Sequence, residues 1–220
     1  MKKIKLLTFY TDSHKELYEK YFLSSYKQYL KDDFELLGCH YKQITKDVSY
    51  GTLGFNQTMI GKVEHIINNV DISDNNPLVF TDCDIQFFKN IKEDIIEDIG
   101  DYDIKFQDDI VSVCAGLFVC NQNEKILNFF KDVLNTLLNT VKNGMDDQKI
   151  INYFLNSNKH PIKHSRLPKN KYFTVAASTG PKQWNGENFN IPNEVIIHHG
   201  NWTVGLENKF KLLEYVKNNR

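Results

Sequence analysis

The chain reads as an α/β protein, with a mixed, mostly parallel sheet flanked by helices. Three apolar runs of strand length, at residues 4–10, 34–41 and 78–80, point to a buried sheet. Segments of helical spacing lie between them, at residues 13–30 and 56–70. This β-α-β-α-β alternation requires crossover connections, and those place helices on both faces of parallel strands.

Residues 4–10 form the first strand, and Asp12 or Ser13 caps a helix to about residue 30, with Leu17, Tyr21, Ser24, Ser25 and Tyr29 at helical spacing. Residues 34–41 make the second strand, and the polar connection 42–55 carries two glycines. Met59, Ile60, Val63, Ile66 and Ile67 give residues 56–70 one apolar face. After a turn at 71–77 comes the strand that bears Asp82 and Asp84. Residues 91–99 read as a short helix, and 101–106 and 111–120 as strands. The second of these holds Cys114-Ala115-Gly116, small residues where another group must approach the backbone. The clearest helix spans 124–141, where Ile126, Phe130, Val133, Leu137 and Val141 form a stripe that Leu127, Leu134 and Leu138 widen. A further helix starts at Asp146 and Asp147 and runs to 155. Residues 156–194 are loop-rich, 194–198 a final strand, and 206–218 a closing helix.

The 220 residues suit a single domain, 1–220, without an internal repeat. Net charge is −1 and no basic run stands out, so nucleic acid is not an expected partner. No apolar run is long enough to span a membrane, and the N-terminus turns polar too early for a signal peptide. Cys39, Cys83, Cys114 and Cys120 contain no Cys-x-x-Cys pair and read as reduced thiols of a cytoplasmic protein, monomer or homodimer. The first strand-to-helix corner lacks Gly-x-Gly-x-x-Gly, and no Walker sequence is present.

The chemistry concentrates at Asp82-Cys83-Asp84, which ends the apolar run 78–80. On an extended backbone the i, i+2 spacing puts both carboxylates on one face. They repel, so a cation is expected between them, and oxygen ligands suit Mn²⁺ or Mg²⁺. In parallel sheets ligands gather beyond the carboxyl ends of strands, where Tyr10-Thr11-Asp12 also falls. Asp146 and Asp147 fit helix capping, yet Gln148 and Asn152 form a polar face beside Asp147. His198 and His199 follow the apolar residues 195–197; either imidazole is a core residue or a metal ligand. Lys209 is a solvated helix charge or a phosphate contact.

Four segments together resemble the nucleotide-diphospho-sugar transferases of the GT-A fold, a Rossmann-like architecture. Residues 80–88, Phe-Thr-Asp-Cys-Asp-Ile-Gln-Phe-Phe, are similar to their Asp-x-Asp segment. Residues 114–119 resemble their small-Ala-Gly-Phe strand, with Leu117 in place of an aromatic. Asp147-Gln148 with Asn152 resembles a helix start, and His199-Gly200-Asn201-Trp202 with Gly205 and Lys209 a closing motif. The resemblance implies sugar transfer from a UDP-sugar donor to a sugar, protein or lipid-linked acceptor, with retention of anomeric configuration. It implies that Asp84 binds the metal directly, that Asp82 binds it or the ribose, and that His199 is the third ligand. Lys209 neutralises phosphate with Gly205 beside it, Tyr10 and Thr11 border the base, and Asp147 and Gln148 face donor sugar and acceptor. An inverting reaction needs a carboxylate base, and Asp147, Asp108 and Asp109 are its candidates.

Two rivals share parts of this pattern. A haloacid-dehalogenase-type phosphatase also carries Asp-x-Asp after a strand, but near its N-terminus and without a residue such as Gln86 two places on. A non-catalytic nucleotide-sugar or carbohydrate-binding module needs no intact acidic set, and here Asp82, Asp84, Asp147 and His199 are all present.

Overall fold

The computed structural model describes residues 2–43 and 51–220. Strand β1 (Ile4–Thr11) leads into a 3₁₀ turn (Asp12–His14), α1 (Lys15–Leu17), a π turn (Tyr18–Leu23) and α2 (Ser24–Tyr29). The single helix expected at 13–30 is thus one continuous helical segment of changing pitch. There follow β2 (Phe34–Tyr41), α3 (Leu53–Asn69), β3 (Leu78–Asp82), β4 (Ile85–Phe87), α4 (Lys92–Ile99), β5 (Ile104–Asp108) and β6 (Val113–Cys120). The chain ends with α5 (Glu124–Thr140), α6 (Asp147–Asn156), β7 (His164–Arg166), β8 (Tyr172–Thr174), α7 (Ala176–Thr179), β9 (Ile197–His199) and α8 (Leu206–Asn219). Of the connection 42–55, residues 44–50 lie outside the described residues.

Six strands form the main sheet in the order β2-β1-β3-β6-β5-β7. All run one way except β6, which is antiparallel to both neighbours, so the sheet is mixed and mostly parallel as expected. One face packs Leu7, Phe80 and Phe118 against α3, α5 and α6 through Val63, Phe130 and Phe154. The other packs Leu6, Val79 and Val119 against Phe22, Leu30 and Ile95. Each face buries a continuous apolar layer, and burial of this kind stabilises by about 25 cal/mol per Å².

Three expectations are corrected. Strands β7 and β8 interrupt the loop-rich stretch, and β8 joins β4 and β9 in a second sheet of order β4-β9-β8. Val111, read as strand, is exposed and sits in a turn before β6. Leu138, read as part of the α5 stripe, is also exposed. Among the described residues no helix is long and apolar enough to cross a membrane.

Candidate active site

The register of β1 with β3 places Phe9 opposite Asp82, so Tyr10 and Thr11 run beside the acidic corner. Asp82 and Asp84 do not share one extended strand: the chain leaves the main sheet at Asp82, bends, and enters the second sheet at Ile85. The bend still brings both carboxylates together with His199, whose partner strand pairs it with Ile85. One ligand atom from each of Asp82, Asp84 and His199 lies within 4.8 Å of the others.

Gly116 makes this convergence possible. A Cβ there would fall 2.4 Å from Asp82 Oδ2 and 2.6 Å from His199 Cε1, closer than atoms can approach. The small segment 114–116 therefore yields to the acidic corner, as its composition suggested.

The two histidines separate cleanly, because successive side chains of a strand face opposite ways. His198 is fully buried on the far side, where Gln86 Nε2 donates to its Nδ1 at 3.0 Å. Burial drives the His198 pKa down to about 3. His199 turns to the site, with Nε2 3.3 Å from Asp84 Oδ1. Gln107 donates through Nε2 to the Tyr172 and Phe173 carbonyls, so its Oε1 faces His199 Nδ1 at 2.7 Å. An amide oxygen only accepts, so Nδ1 carries a proton and Nε2 is the nitrogen that faces the acidic corner, where it donates to Asp84 while protonated and would offer its lone pair to a cation that displaced that proton. Burial opposes charge on His199, but Asp84 outweighs it and lifts the pKa to about 10. Asp84 itself is buried, yet Lys209 and His199 hold its carboxyl well below the usual carboxylate range.

Lys62 was not foreseen. It lies on α3, buried, with Nζ 3.1 Å from Asp82 Oδ1 and 2.9 Å from Asp147 Oδ2. Burial disfavours its charge, but Asp147 and Asp82 overcome that and raise its pKa. The Phe80 ring, 5.1 Å from Nζ, adds a cation–π contact. The signal was present in the sequence, since Lys62 stands between Met59 and Ile66 at helical spacing, on the apolar face.

The Asp146-Asp147 pair divides its roles. Asp146 caps α6, its Oδ1 accepting the Lys149 N–H at 2.8 Å. Asp147 is free of that duty and points to Lys62. Burial pushes the Asp147 carboxyl pKa up, with Lys62 pulling against it. Gln148 is held at both ends, its Oε1 accepting from Ala115 N and its Nε2 donating to Asp109 Oδ2, both at 3.1 Å. Asn152 clamps the N–H and C=O of Val113 at 2.9 and 3.0 Å.

A family model described as nucleotide-diphospho-sugar transferase matches residues 23–213. The chain belongs to this family. It is a nucleotide-sugar glycosyltransferase with the GT-A fold, the family that the four sequence segments resemble. Among solved structures, a glycosyltransferase involved in the glycosylation of the major capsid of PBCV-1 is similar, with TM-score 0.69 and 10% identity over 97% of this chain and 100% of that one. The galactosyltransferase LgtC, solved with donor and acceptor sugar analogs, gives TM-score 0.55 and 12% identity over 96% of each chain. The glycosyltransferase GlyE of Streptococcus pneumoniae TIGR4, in its apo form, gives 0.57 and 11% over 100% of this chain and 65% of that one. At such identities the likeness is one of fold. No curated protein matches the sequence.

The remaining expected residues of this transferase line the same end of the sheet. Tyr10 stacks between Tyr18 at 4.0 Å and His40 at 5.1 Å, and Thr11 Oγ1 lies 3.1 Å from Ser13 Oγ. Gly205 opens α8 at φ 86°, a conformation that favours glycine. Lys209, one turn on, reaches Asp84 Oδ2 and donates to the Gly200 carbonyl at 2.9 Å. The carboxylates of Asp82, Asp84 and Asp147 thus face two ammonium groups, Lys62 and Lys209. The two carboxylates of Asp82 and Asp84 with Nε2 of His199 are ligand types that would suit Mn²⁺ or Mg²⁺.

Proposed function

We propose that this glycosyltransferase takes a sugar from a UDP-sugar and passes it to an acceptor hydroxyl with retention of configuration. Asp82, Asp84 and His199 hold Mn²⁺ or Mg²⁺. The observation that carries the reading is the gathering of these three side chains within 4.8 Å beside Lys209. When bound, the ion supplies positive charge to the leaving diphosphate, on which negative charge grows during transfer. Lys209 adds to that charge, and Gly205 lets the backbone come close. Tyr10 and Thr11 border the base. Asp147, oriented by Lys62, faces the donor sugar, and Gln148 faces sugar and acceptor together.

Residues 1–220 are read as one domain, supported by a family match that runs through both sheets. A cytoplasmic setting is supported by four free thiols at Cys39, Cys83, Cys114 and Cys120.

The test is a calorimetric and thermal-shift titration of UDP and UDP-sugars with Mn²⁺ and with chelator. A ligand of the folded state at 100 times its Kd adds about 2.7 kcal/mol of stability. Binding only with Mn²⁺, followed by UDP release, is the expected outcome. Binding without turnover of any UDP-sugar would favour a binding module instead. Failure of every nucleoside diphosphate to bind ends the reading, and product anomer by NMR decides retention.

A further inference from the structure

Two strained backbone positions meet at one carboxylate. Among the described residues Ile110 (φ 70°), Asn158 (φ 50°) and Trp202 (φ 55°) are the non-glycine residues of positive φ. Asparagine tolerates this region; a β-branched isoleucine and a bulky tryptophan do not. Strain of this kind persists only where the surroundings over-determine it, and it gathers at functional sites. Here Ile110 follows Asp109 in its turn, and Trp202 bonds the Asp109 side chain. The Asp109 N–H donates to the Ser112 carbonyl at 3.1 Å, the Val111 N–H to the Asp109 carbonyl at 2.8 Å, and the Ile110 N–H to Asp108 Oδ1 at 2.9 Å. This tight turn presents the Asp109 side chain to the far strands. Trp202 Nε1 donates to its Oδ1 at 2.6 Å, and Asn201 Nδ2 to the same oxygen at 3.0 Å. Gln148 Nε2 takes Oδ2. The Trp202 carbonyl in turn accepts the Trp184 N–H at 2.7 Å, which ties the segment 180–193 to the same residue.

An ionised carboxylate offers about four lone-pair sites, and three donors leave one open on Oδ2. Asp108 next door is turned away onto Arg166 Nη1 at 2.6 Å. Of the two carboxylates of this turn, Asp109 alone shares a partner with the Asp147-Gln148 helix start.

We propose that Asp109 Oδ2 accepts a hydrogen bond from the hydroxyl that receives the sugar, and that Trp202 is the positioning residue that aims it. The proposal rests on the glycosyl-transfer reading above. A purely structural role would cost stability and leave the rate per folded molecule unchanged.

The test uses the full chain, Asp109→Asn, Trp202→Phe and Trp202→His. UDP binding with Mn²⁺ is measured by calorimetry. UDP release from UDP-glucose, UDP-galactose, UDP-N-acetylglucosamine and UDP-xylose is measured with water as the acceptor. The expected result is UDP affinity close to wild type in all three variants. The kcat for UDP release falls on the order of a hundredfold in Asp109→Asn and about tenfold in Trp202→Phe, as misplaced reacting groups do. Donor KM holds, and Trp202→His, which can still donate an N–H, recovers part of kcat. An Asp109→Asn protein with wild-type kcat, or one whose UDP affinity falls as far as its kcat, overturns the proposal. So does a wild-type protein that binds UDP yet releases none from these donors. A wild-type protein that fails to bind UDP removes the donor-site reading first, and this inference with it.

Discussion

The Lys62 ammonium and the Asp147 carboxylate, both buried, sit 2.9 Å apart, and the same ammonium reaches Asp82 at 3.1 Å. One side chain from α3 therefore joins the helix start of α6 to the acidic corner after β3. Removing it strands the Asp147 carboxylate, which burial already disfavours, and takes a partner from Asp82. Lys62→Met is expected to lower stability by about 3–5 kcal/mol, the range for a broken buried pair. Urea unfolding measures it. Lys62→Met with Asp147→Leu should recover much of the loss, because an apolar pair replaces the ionic one. A single variant as stable as wild type would show that water already solvates this bridge.

Asp146 and Asp147 should part company under mutation. Asp146→Ala removes the α6 cap and costs about 0.5–2 kcal/mol, with transfer by the folded protein unchanged. Asp147→Asn keeps shape and cap, and should cut sugar transfer severely while UDP affinity stays within a few-fold. UDP-release assays beside UDP calorimetry separate the two. Equal effects from both substitutions would return Asp147 to a structural part.

Much of this arrangement was legible in the sequence, for physical reasons that also explain the gaps. Strand β2 and helix α5 emerge from long periodic patterns, and β3 from an apolar run bounded by charge. Strands β7 and β8 are three residues each, too short to show a period, and their pairing is set by tertiary contacts. The i, i+2 spacing of the acidic corner fits one extended strand, whereas its carboxylates converge through a bend between two sheets, which spacing alone does not reveal. Lys62 lies inside an apolar stripe whose period is carried by its hydrophobic members, so its charge does not stand out in the sequence. The choice between His198 and His199 needed the pairing of β9 with β4 before the facing side could be known.

Gly116 is expected to be intolerant of even one methyl group. Its added Cβ would strike Asp82 Oδ2 at 2.4 Å and His199 Cε1 at 2.6 Å, both belonging to the proposed ion site. Gly116→Ala should weaken Mn²⁺-dependent UDP binding by at least about tenfold, a cost of about 1.4 kcal/mol. Calorimetry with and without Mn²⁺ reads it directly. Wild-type affinity in this variant would mean that the corner relaxes easily and is no fixed ligand set.

Acid should loosen the packing of α3 on β2 through His65. Its Nε2 donates to the Leu37 carbonyl at 2.9 Å, and its Nδ1 accepts from Asn69 Nδ2 at 3.2 Å, so the bonded form is neutral. Burial lowers its pKa below the ordinary value of 6.5. The folded protein thus binds fewer protons than the unfolded chain. This stability is present above about pH 6.5 and is lost as pH falls below it toward the folded value. His65→Gln should show a smaller fall in Tm between about pH 7.5 and 5.5 than wild type does. Parallel curves for the two proteins would assign the acid sensitivity to other groups.

The ion site itself makes the most demanding prediction, because its three ligands must act as one. Asp84→Asn keeps the shape and removes charge, while His199→Ala removes the imidazole lone pair. Each should weaken Mn²⁺-dependent UDP binding, and the double variant should be little worse than either, since both singles remove the same ion. Gln107 gives an independent check from outside the ligand set. Its Oε1 fixes the proton of His199 on Nδ1, 2.7 Å away, and so keeps Nε2 toward Asp84. Gln107→Leu leaves every ligand in place but frees the ring, and loss of such a partner typically costs 10- to 100-fold in metal affinity. Titrating Mn²⁺ into protein held at saturating UDP measures that affinity for each variant. Strictly additive losses for Asp84 and His199, together with a Gln107→Leu protein of wild-type Mn²⁺ affinity, would show that no shared ion links them. The buried Asp84 would then be satisfied by Lys209 and His199 alone.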